Sequence, residues 1–391
     1  MKVDKSKWAE TAFAEIATSQ LGKTLDANKN KGLPYPYLCA ANIGMGYFNL
    51  SNVKEILLDD SELEKYLVRK GDLLICEGGD TGRCAIWESE DPIYYQNALH
   101  RVRFNDDIHN KFIMYYLHYY KKVGIIDKLS HGQTIKHFTQ KGLSKLSFRM
   151  PTISEQKGIA SELDALQAMI DGYKAQLHDL DELIKSIFNN TFGEPISNPK
   201  GWDIDVLENI VSDDCPITYG IVQPGDEVND GIPVVRPVDL IGTYVNKALL
   251  KKVSPEISDS YKRTILKGNE ILICVRGTTG VVSFATEDMK ECNVTRGIVP
   301  LSFARHNKWF MYWCIKSFEM NNLIQKYTKG ATLKQINIKD LRQLPFPTPP
   351  LELQEKFGKQ AELIETQRAL LNQQISDARD LMAERMQYYF S

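Results

Sequence analysis

The side chains of this sequence best suited to metal binding or nucleophilic chemistry are its seven cysteines and seven histidines. The cysteines lie mostly in apolar runs and include no CxxC pair, which favours reduced thiols in a protein core over zinc or redox sites. The histidines show no paired metal-ligand spacing. We therefore expect no metal site in this chain.

Sequence patterns of known catalytic centres are also missing. The glycine-containing segments GGDTG (78–82) and RGTTG (276–280) are typical of tight turns, and no Lys-Ser/Thr follows either of them as a P-loop requires. The sequence contains no HExxH motif and no Asn/Asp/Ser-Pro-Pro-Tyr/Phe tetrapeptide, which holds adenine in amino-methyltransferases. We expect no catalytic residue here.

The two halves of the chain repeat each other. GQTIK at 132–136 corresponds to GATLK at 330–334, and LLIC at 73–76 corresponds to ILIC at 271–274, in both cases 198 residues later. This pattern indicates a tandem duplication of a unit of about 195 residues.

Each half ends in a long heptad pattern. Apolar residues recur at alternating steps of four and three, which predicts two coiled-coil helices, each a partner for the other. The predicted seam consists of Ile159, Leu163, Leu166, Ile170, Tyr173, Leu177, Leu180, Ile184 and Ile187 in the first helix and of Phe357, Ile364, Leu371, Ile375 and Met382 in the second. Arg368 and Arg385 stand where the first helix has Ile170 and Ile187, so the second seam is less regular.

The segments before the helices are β-rich. Strand-like runs such as those within 71–87 and 270–285 are bounded by Gly, Asn and Asp turns. The sequence thus predicts an α+β protein with a first module over 1–150, a first helix over 151–193, a second module over 194–348 and a second helix over 349–391.

Composition and charge bound the function. Hydrophobic residues make up 43% of the chain, enough for packed cores, and the net charge is −2. The modules are mildly basic and the helices acidic, which suggests that the modules bind DNA and the helices bind protein. No apolar run approaches ~18 residues, and no signal-like pattern opens the sequence, so we expect a cytoplasmic protein.

The repeated motifs resemble those of a known family. HGQTIKHFTQKGLSKLSFRMPTISEQKGIASELDAL (131–166), its counterpart KGATLKQINIKDLRQLPFPTPPLELQEKFGKQAEL (329–363) and the two glycine turns are similar to the specificity subunit of type I restriction-modification systems. The resemblance implies that each module is a target-recognition domain for one half of a split double-stranded DNA sequence, with the two helices packed as an antiparallel coiled coil that acts as a spacer. It also implies that two modification subunits carrying S-adenosylmethionine dock on the helices, beside restriction subunits that use ATP and Mg²⁺, so this chain needs no cofactor.

Under this resemblance, polar residues of the loops become candidates for DNA contact. Arg and Lys can donate to guanine, and Asn and Gln can pair with adenine; the same side chains often contact phosphates or only solvent. The candidates are Asn42, Arg83, Gln133, Lys136 and His137 in the first module and Arg236, Arg276, Thr278, Arg296 and Lys334 in the second.

Three hypotheses follow from these patterns. The first is a DNA-specificity subunit whose two different modules recognise an asymmetric bipartite target. The second is a stand-alone DNA-binding protein of the repressor type, and the third is a coiled-coil scaffold that binds only proteins. Specific DNA binding without partner subunits would favour the second, and no DNA affinity even with partners would favour the third.

Overall fold

The computed structural model describes residues 3–26, 30–132, 136–331 and 333–391. Contacts divide the chain into two compact units. Unit 1 comprises Met1–Lys174 and Asn372–Ser391, and unit 2 comprises Ala175–Leu371. Each unit therefore contains one module together with part of each long helix.

Unit 1 is built from short strands and helices that precede one long helix. Its strands are β1 (Ala9–Ala12), β2 (Ala17–Leu21), β3 (Leu33–Leu38), β4 (Lys54–Leu58), β5 (Leu67–Val68), β6 (Leu73–Cys76), β7 (Cys84–Ile86), β8 (Ile93–Tyr95), β9 (Leu99–Phe104) and β10 (Ser147–Met150). Its helices are α1 (Phe13–Ile16), α2 (Asp60–Tyr66), α3 (Asn110–Lys122), α4 (Ile125–Leu129), α5 (Gln140–Leu143) and the first part of α6 (Ile153–Phe192). The strands form the sheets β2-β9-β6-β7 and β4-β3-β8-β5 and the pair β1-β10.

Unit 2 repeats this plan with fewer strands. Its strands are β11 (Ile204–Val206), β12 (Ile232–Val235), β13 (Lys251–Val253), β14 (Ile271–Cys274), β15 (Val282–Phe284), β16 (Asn293–Val294), β17 (Ile298–Leu301) and β18 (Pro345–Pro347). Its helices are α7 (Leu207–Ile210), α8 (Pro255–Asp259), α9 (Lys308–Lys316), α10 (Phe318–Tyr327), α11 (Ile338–Arg342) and the first part of α12 (Leu351–Phe390). The sheets are β15-β14-β17 and β13-β12-β16, with the pair β11-β18.

The apolar runs LLIC and ILIC form the central strands β6 and β14, which are buried at every residue. Side chains alternate between the two faces of a strand. Leu73 and Ile75 therefore belong to the core that includes α3, whereas Leu74 and Cys76 belong to a second core on the other side of the sheet. A strand covered on both faces needs a continuous apolar run, and both repeats supply one.

The long helices begin at sequence signals that recur in both halves. Thr152 and Glu155 form a capping box, in which the Glu155 carboxylate accepts from the Thr152 N–H at 3.0 Å. The buried Gln156 side chain accepts from the His109 N–H at 2.8 Å and donates to the Pro151 carbonyl at 3.0 Å. Gln354 makes the same two contacts with Asn307 and Pro349 in unit 2. These glutamines fix each long helix to its own module.

Within each unit the two long helices run antiparallel. In unit 1 the beginning of α6 contacts the end of α12, where the Glu162 carboxylate accepts from the Arg385 Nε at 2.5 Å. In unit 2 the end of α6 contacts the beginning of α12, where the Phe188 and Phe357 ring centroids lie 5.5 Å apart. The predicted α+β class, with a long helix after each tandem module, is confirmed.

The predicted seam residues occupy buried and half-buried positions. Those that are buried are Ile159, Leu163, Leu166, Ile170, Ile184, Phe357, Ile364, Leu371 and Ile375, and those that are half-buried are Tyr173, Leu177, Leu180, Ile187 and Met382. Near the end of α12 the deepest positions belong instead to Met386, Tyr389 and Phe390, which pack into the unit 1 core. Arg368 pairs with Asp181, as Arg385 does with Glu162, so both seam arginines have a carboxylate partner.

Candidate nucleic-acid interface

Five loops of unit 2 are held together by backbone hydrogen bonds. We call residues 220–222, 235–239, 275–281, 295–297 and 334–336 the unit 2 loop face. The Val275 N–H donates to the Gly297 carbonyl at 2.8 Å, and the Ile336 N–H donates to the Val275 carbonyl at 3.0 Å. The Thr295 N–H donates to the Val235 carbonyl at 2.9 Å, and the following residue, Arg296, donates to Ile221 at 2.8 Å. Segments that are distant in sequence thus meet where β12, β14 and β16 end and where β17 begins.

Unit 1 has the same frame. Residues 22–23, 38–42, 77–83, 96–98 and 136–138 form the unit 1 loop face. The Glu77 N–H donates to the Ala98 carbonyl at 2.8 Å, and the Phe138 N–H donates to the Glu77 carbonyl at 2.7 Å. The Gln96 N–H donates to the Leu38 carbonyl at 3.1 Å, and the Asn97 N–H donates to Lys23 at 2.8 Å. Each bond has its counterpart in unit 2, which makes the two faces comparable position by position.

The unit 2 loop face contains all the residues predicted there. These are Arg236, Arg276, Thr278, Arg296 and Lys334. The Gly277 N–H donates to the Lys334 carbonyl at 2.8 Å, which joins the glycine turn to the segment of the repeated GATLK motif. Thr278 and Lys334 are exposed, and the three arginines are half-buried.

The three arginines are held in different ways. The Arg236 guanidinium donates to both Asp239 oxygens, from Nε at 3.0 Å and from Nη2 at 2.7 Å, and this ion pair raises the pKa of Arg236. The Arg296 guanidinium lies 5.6 Å from the centroid of the Tyr219 ring, a cation–π distance. Arg276 has a buried Nε with no hydrogen-bond partner among the residues that the structure describes.

The unit 1 loop face contains most of the residues predicted for the first module. The Arg83 guanidinium donates to the Ala40 carbonyl at 3.1 Å and to the Asp80 carbonyl at 3.2 Å. Lys136 and His137 are exposed, and the Lys136 Nζ lies 3.8 Å from an Asp127 oxygen. Gln133 lies outside the described residues.

Asn42 departs from its prediction as a DNA contact. It is only 4% exposed, and its carbonyl oxygen accepts from the Cys39 N–H at 2.9 Å. Its amide nitrogen donates to the carbonyls of Asn49 at 2.9 Å and Asn52 at 3.2 Å. The side chain is therefore used to shape the turn after β3, and none of its hydrogen-bonding groups is left for a base. Asp239 has this role in unit 2, where it accepts from the Arg236 N–H at 2.8 Å.

The shared frame shows which side chains differ at equivalent positions. By their backbone hydrogen bonds, Arg236 corresponds to Cys39, Arg276 to Gly78 and Arg296 to Asn97. The unit 2 face thus has three arginines where unit 1 has a thiol, a glycine and an amide.

Some polar side chains at the faces were not among the predicted contacts. They include Asn97 of the unit 1 face, Gln335 of the unit 2 face and Tyr219, which lies next to the unit 2 face. Gln335 donates to the Tyr219 hydroxyl at 3.1 Å and so positions the ring beside Arg296. The second half gains one residue between its glycine turn and β17, so the offset between the halves changes there from 198 to 199. An alignment with this gap pairs Asn97 with Arg296 and would have identified Asn97.

Buried His100 and half-buried Glu77 form a polar pair at the unit 1 face. The His100 Nε2 lies 3.1 Å from the Phe138 carbonyl and 3.4 Å from a Glu77 oxygen. Burial lowers the pKa of His100, although the Glu77 carboxylate opposes this shift. Val275 takes the place of Glu77 in unit 2, so the pair belongs to one module only.

The cysteines lie in the cores, as the sequence suggested. Six of the seven thiols are buried, and burial raises the pKa of Cys76 to about 11, which keeps it protonated at neutral pH. Among the described residues, no group of three His, Cys, Asp or Glu side chains is arranged to hold a metal ion. The same residues include no helix long and apolar enough to span a membrane.

The chain has two modules, each with a polar loop face and each followed by a long helix. This arrangement defines a class of tandem recognition proteins. The family model described as the type I restriction modification DNA specificity domain matches residues 5–180 and 220–377. These matches cover most of the chain, which belongs to the type I restriction-modification DNA specificity family.

Individual relatives agree with this assignment. The chain is 27% identical over 341 residues to the type I restriction enzyme EcoBI specificity subunit of Escherichia coli, covering 81% of this chain and 71% of the relative. It is 24% identical over 319 residues to the MjaIX specificity subunit of Methanocaldococcus jannaschii, covering 74% of this chain and 69% of that one. Membership in this family favours the first of the three hypotheses, a DNA-specificity subunit.

Two solved structures share the fold. The S subunit of a type I restriction-modification system from M. genitalium matches with a TM-score of 0.57 and 15% identity, over 99% of this chain and 98% of that one. A chain from a structure on complex assembly and conformational transition of the type I system matches with a TM-score of 0.61 and 16% identity, over 98% and 97% of the two chains.

Proposed function

We propose that this chain recognises an asymmetric, bipartite double-stranded DNA target, with residues 1–150 binding one half-site and residues 194–348 the other. The observation that carries this proposal is the shared backbone frame with different side chains at equivalent positions. Direct recognition depends on which side-chain groups face the base edges. Two faces of the same shape but different chemistry would select different base sequences.

The segments 151–193 and 349–391 would dock the partner subunits. In this proposal two modification subunits carry S-adenosylmethionine and the adenine methylation chemistry, and restriction subunits carry ATP and Mg²⁺. This chain supplies recognition without catalysis. The proposed complex acts in the cytoplasm, where DNA and the partner subunits would meet.

The test is a methylation map. The chain is co-expressed with the adenine methyltransferase subunit encoded beside it, in a host that lacks such systems, and 6-methyladenine is located by single-molecule sequencing. We expect a split, asymmetric motif that disappears when the chain is omitted. Replacing residues 198–348 by the same segment of another family member should change one half of the motif. No motif in spite of a co-purifying methyltransferase would contradict the proposal.

A further inference from the structure

The unit 2 loop face contains one arginine whose side chain is positioned but not paired. Arg276 lies between two fixed backbone points, the Val275 N–H bonded to Gly297 at 2.8 Å and the Gly277 N–H bonded to Lys334 at 2.8 Å. A Cβ placed on Gly297 would lie 3.6 Å from the Arg276 Cβ and 2.5 Å from Pro237. The close approach of Gly297 is to Pro237, and its contact with the Arg276 Cβ is an ordinary van der Waals contact, so the neighbouring loop bounds one side of Arg276.

The Arg276 guanidinium lacks the partners that its neighbours have. Arg236 uses two of its donors on Asp239, and Arg296 lies over Tyr219. The Arg276 Nε is buried without a hydrogen-bond partner, and no ion pair holds its guanidinium, among the described residues. Burying this donor without a partner is unfavourable. The terminal Nη groups of Arg276 are not buried and have no hydrogen-bond partner within the described part of the chain, so they are open to an acceptor from outside the chain.

The chemistry of a free guanidinium fork indicates what the acceptor is. Two parallel N–H groups match the O6 and N7 atoms of guanine in the major groove, and this is the commonest specific contact between an arginine and a base. Arg236 already uses two donors on Asp239, and Arg296 is held over the Tyr219 ring, so both suit phosphate contacts. Thr278 and Lys334 are exposed next to Arg276 and add donors to the same surface.

We propose that Arg276 is a specificity-determining residue that contacts a guanine of the half-site bound by unit 2. This inference rests on the proposed function. The equivalent residue of unit 1 is Gly78, so the first half-site has no arginine contact from this position. The guanine contact therefore distinguishes the two halves of the target.

The experiment uses the complex of this chain with its modification subunits and a duplex that contains the mapped target. Each guanine of the second half-site is replaced in turn by 7-deazaguanine, which lacks the N7 acceptor. Wild-type complex should lose affinity at one of these positions, by less than the roughly 5- to 150-fold expected for a whole bidentate contact, because the O6 acceptor remains. The Arg276→Ala complex should bind less tightly and show no further loss at that position.

Two further variants make the result specific. Arg276→Lys keeps the charge but replaces the fork by a single ammonium group, so it should retain non-sequence-specific affinity and be less sensitive to 7-deazaguanine than wild type. Arg305→Ala removes an exposed arginine after β17, at the end of that strand away from the loop face, and should behave as wild type.

The outcomes separate this inference from the proposed function. A wild-type complex without sequence-specific binding would contradict the proposed function itself. Specific binding to a second half-site that contains no guanine, or a 7-deazaguanine effect that is the same in wild type and Arg276→Ala, would overturn only the role of Arg276. A uniform loss of affinity across sequences, with a salt slope reduced by about one, would identify a phosphate contact instead and would equally overturn it.

Discussion

The side chains of the two loop faces differ while the backbone hydrogen bonds beneath them are shared. Residue types and glycine turns were enough to name Arg276, Arg296 and Lys334 as candidate DNA contacts, and the structure places all three on the unit 2 loop face. Residue types and turns could not predict the role of Asn42, because a sequence does not distinguish an asparagine that caps a turn from one that contacts a base. The recurrence of Asp239 three residues after Arg236, like Asn42 three residues after Cys39, was the only available signal.

A gain of contact should be possible at Gly78. Its backbone is not in the left-handed region, and an added Cβ would lie 3.7 Å from the His137 ring, an ordinary contact. We expect Gly78→Arg to introduce a guanine preference of roughly 5- to 150-fold at one position of the first half-site, while the second half-site stays the same. The methylation motif of the co-expressed complex measures this.

The control for Gly78→Arg is Gly242→Arg, which adds the same charge where an added Cβ meets no atom within 4 Å. It should leave both half-sites unchanged. If Gly78→Arg leaves the first half-site unchanged in a fully methylating complex, the assigned equivalence of Gly78 and Arg276 is wrong.

The pH dependence of stability should include a contribution from Glu162. Burial opposes its ionisation, but hydrogen bonds from Arg385 and Tyr389 hold its pKa at about 2. Because the folded-state pKa is depressed, this contribution is complete above the ordinary glutamate value of about 4.3 and is lost as the pH falls toward 2. Glu162→Gln should therefore lower the thermal unfolding midpoint at pH 6, and its difference from wild type should shrink below pH 4.

Glu182→Gln serves as the comparison for Glu162→Gln, since the partner of Glu182 is Lys185 three residues along the same helix and both are exposed. Its midpoint should stay close to that of wild type across the pH range. Equal shifts for the two variants would show that Glu162 makes no special contribution.

Along most of their length, the helices α6 and α12 bury the residues that the heptad pattern predicts. At their ends, the buried residues are those that contact the modules. Phe192, Tyr389 and Phe390 lie outside the predicted seam but are buried against the modules. Heptad spacing reports only on the neighbouring helix, so it could not predict residues that pack against a module. Arg368 and Arg385 look like interruptions of the seam in sequence. Their partners Asp181 and Glu162 lie on the other helix, at positions that only the pairing register defines.

The packing of these helices can be tested with two leucines of α6. Leu163 is fully buried in the unit 1 core, whereas Leu183 is 48% exposed. We expect Leu163→Ala to reduce the free energy of unfolding by about 2–5 kcal/mol and Leu183→Ala to change it by less than about 0.5 kcal/mol. Chemical denaturation followed by circular dichroism would check this, and comparable losses for both variants would contradict the assigned seam.

At the scale of the whole molecule, the duplication was evident from sequence, because motifs such as LLIC and GQTIK recur with their spacing preserved. The hydrogen-bonded loop frames were not, because their bonds join residues up to 75 positions apart, as between Arg296 and Ile221. These bonds involve backbone atoms, which carry no sequence signal. The base sequence of the target depends on side-chain contacts of the same kind. It too must be measured.

In the proposed function, the gap between the half-sites depends on the lengths of α6 and α12. One heptad inserted after Lys174 and another before Asn372, at the boundaries between the units, would leave each unit intact. The added ~10.5 Å of helix should widen the gap in the methylation motif by about three base pairs, at ~3.4 Å each. An unchanged gap in an active complex would refute this dependence.

The backbone frame of the loop faces also has a consequence for how such a system changes over generations. Since the bonds between the loops are made by peptide groups, a codon change at Gly78, Asn97 or Arg276 alters the exposed chemistry and leaves the loops in place. In the proposed complex, methylation and cleavage both depend on this one chain for their target, so both would acquire the new target in the same mutational step. A mutation in this chain would therefore not assign methylation and cleavage to different target sequences.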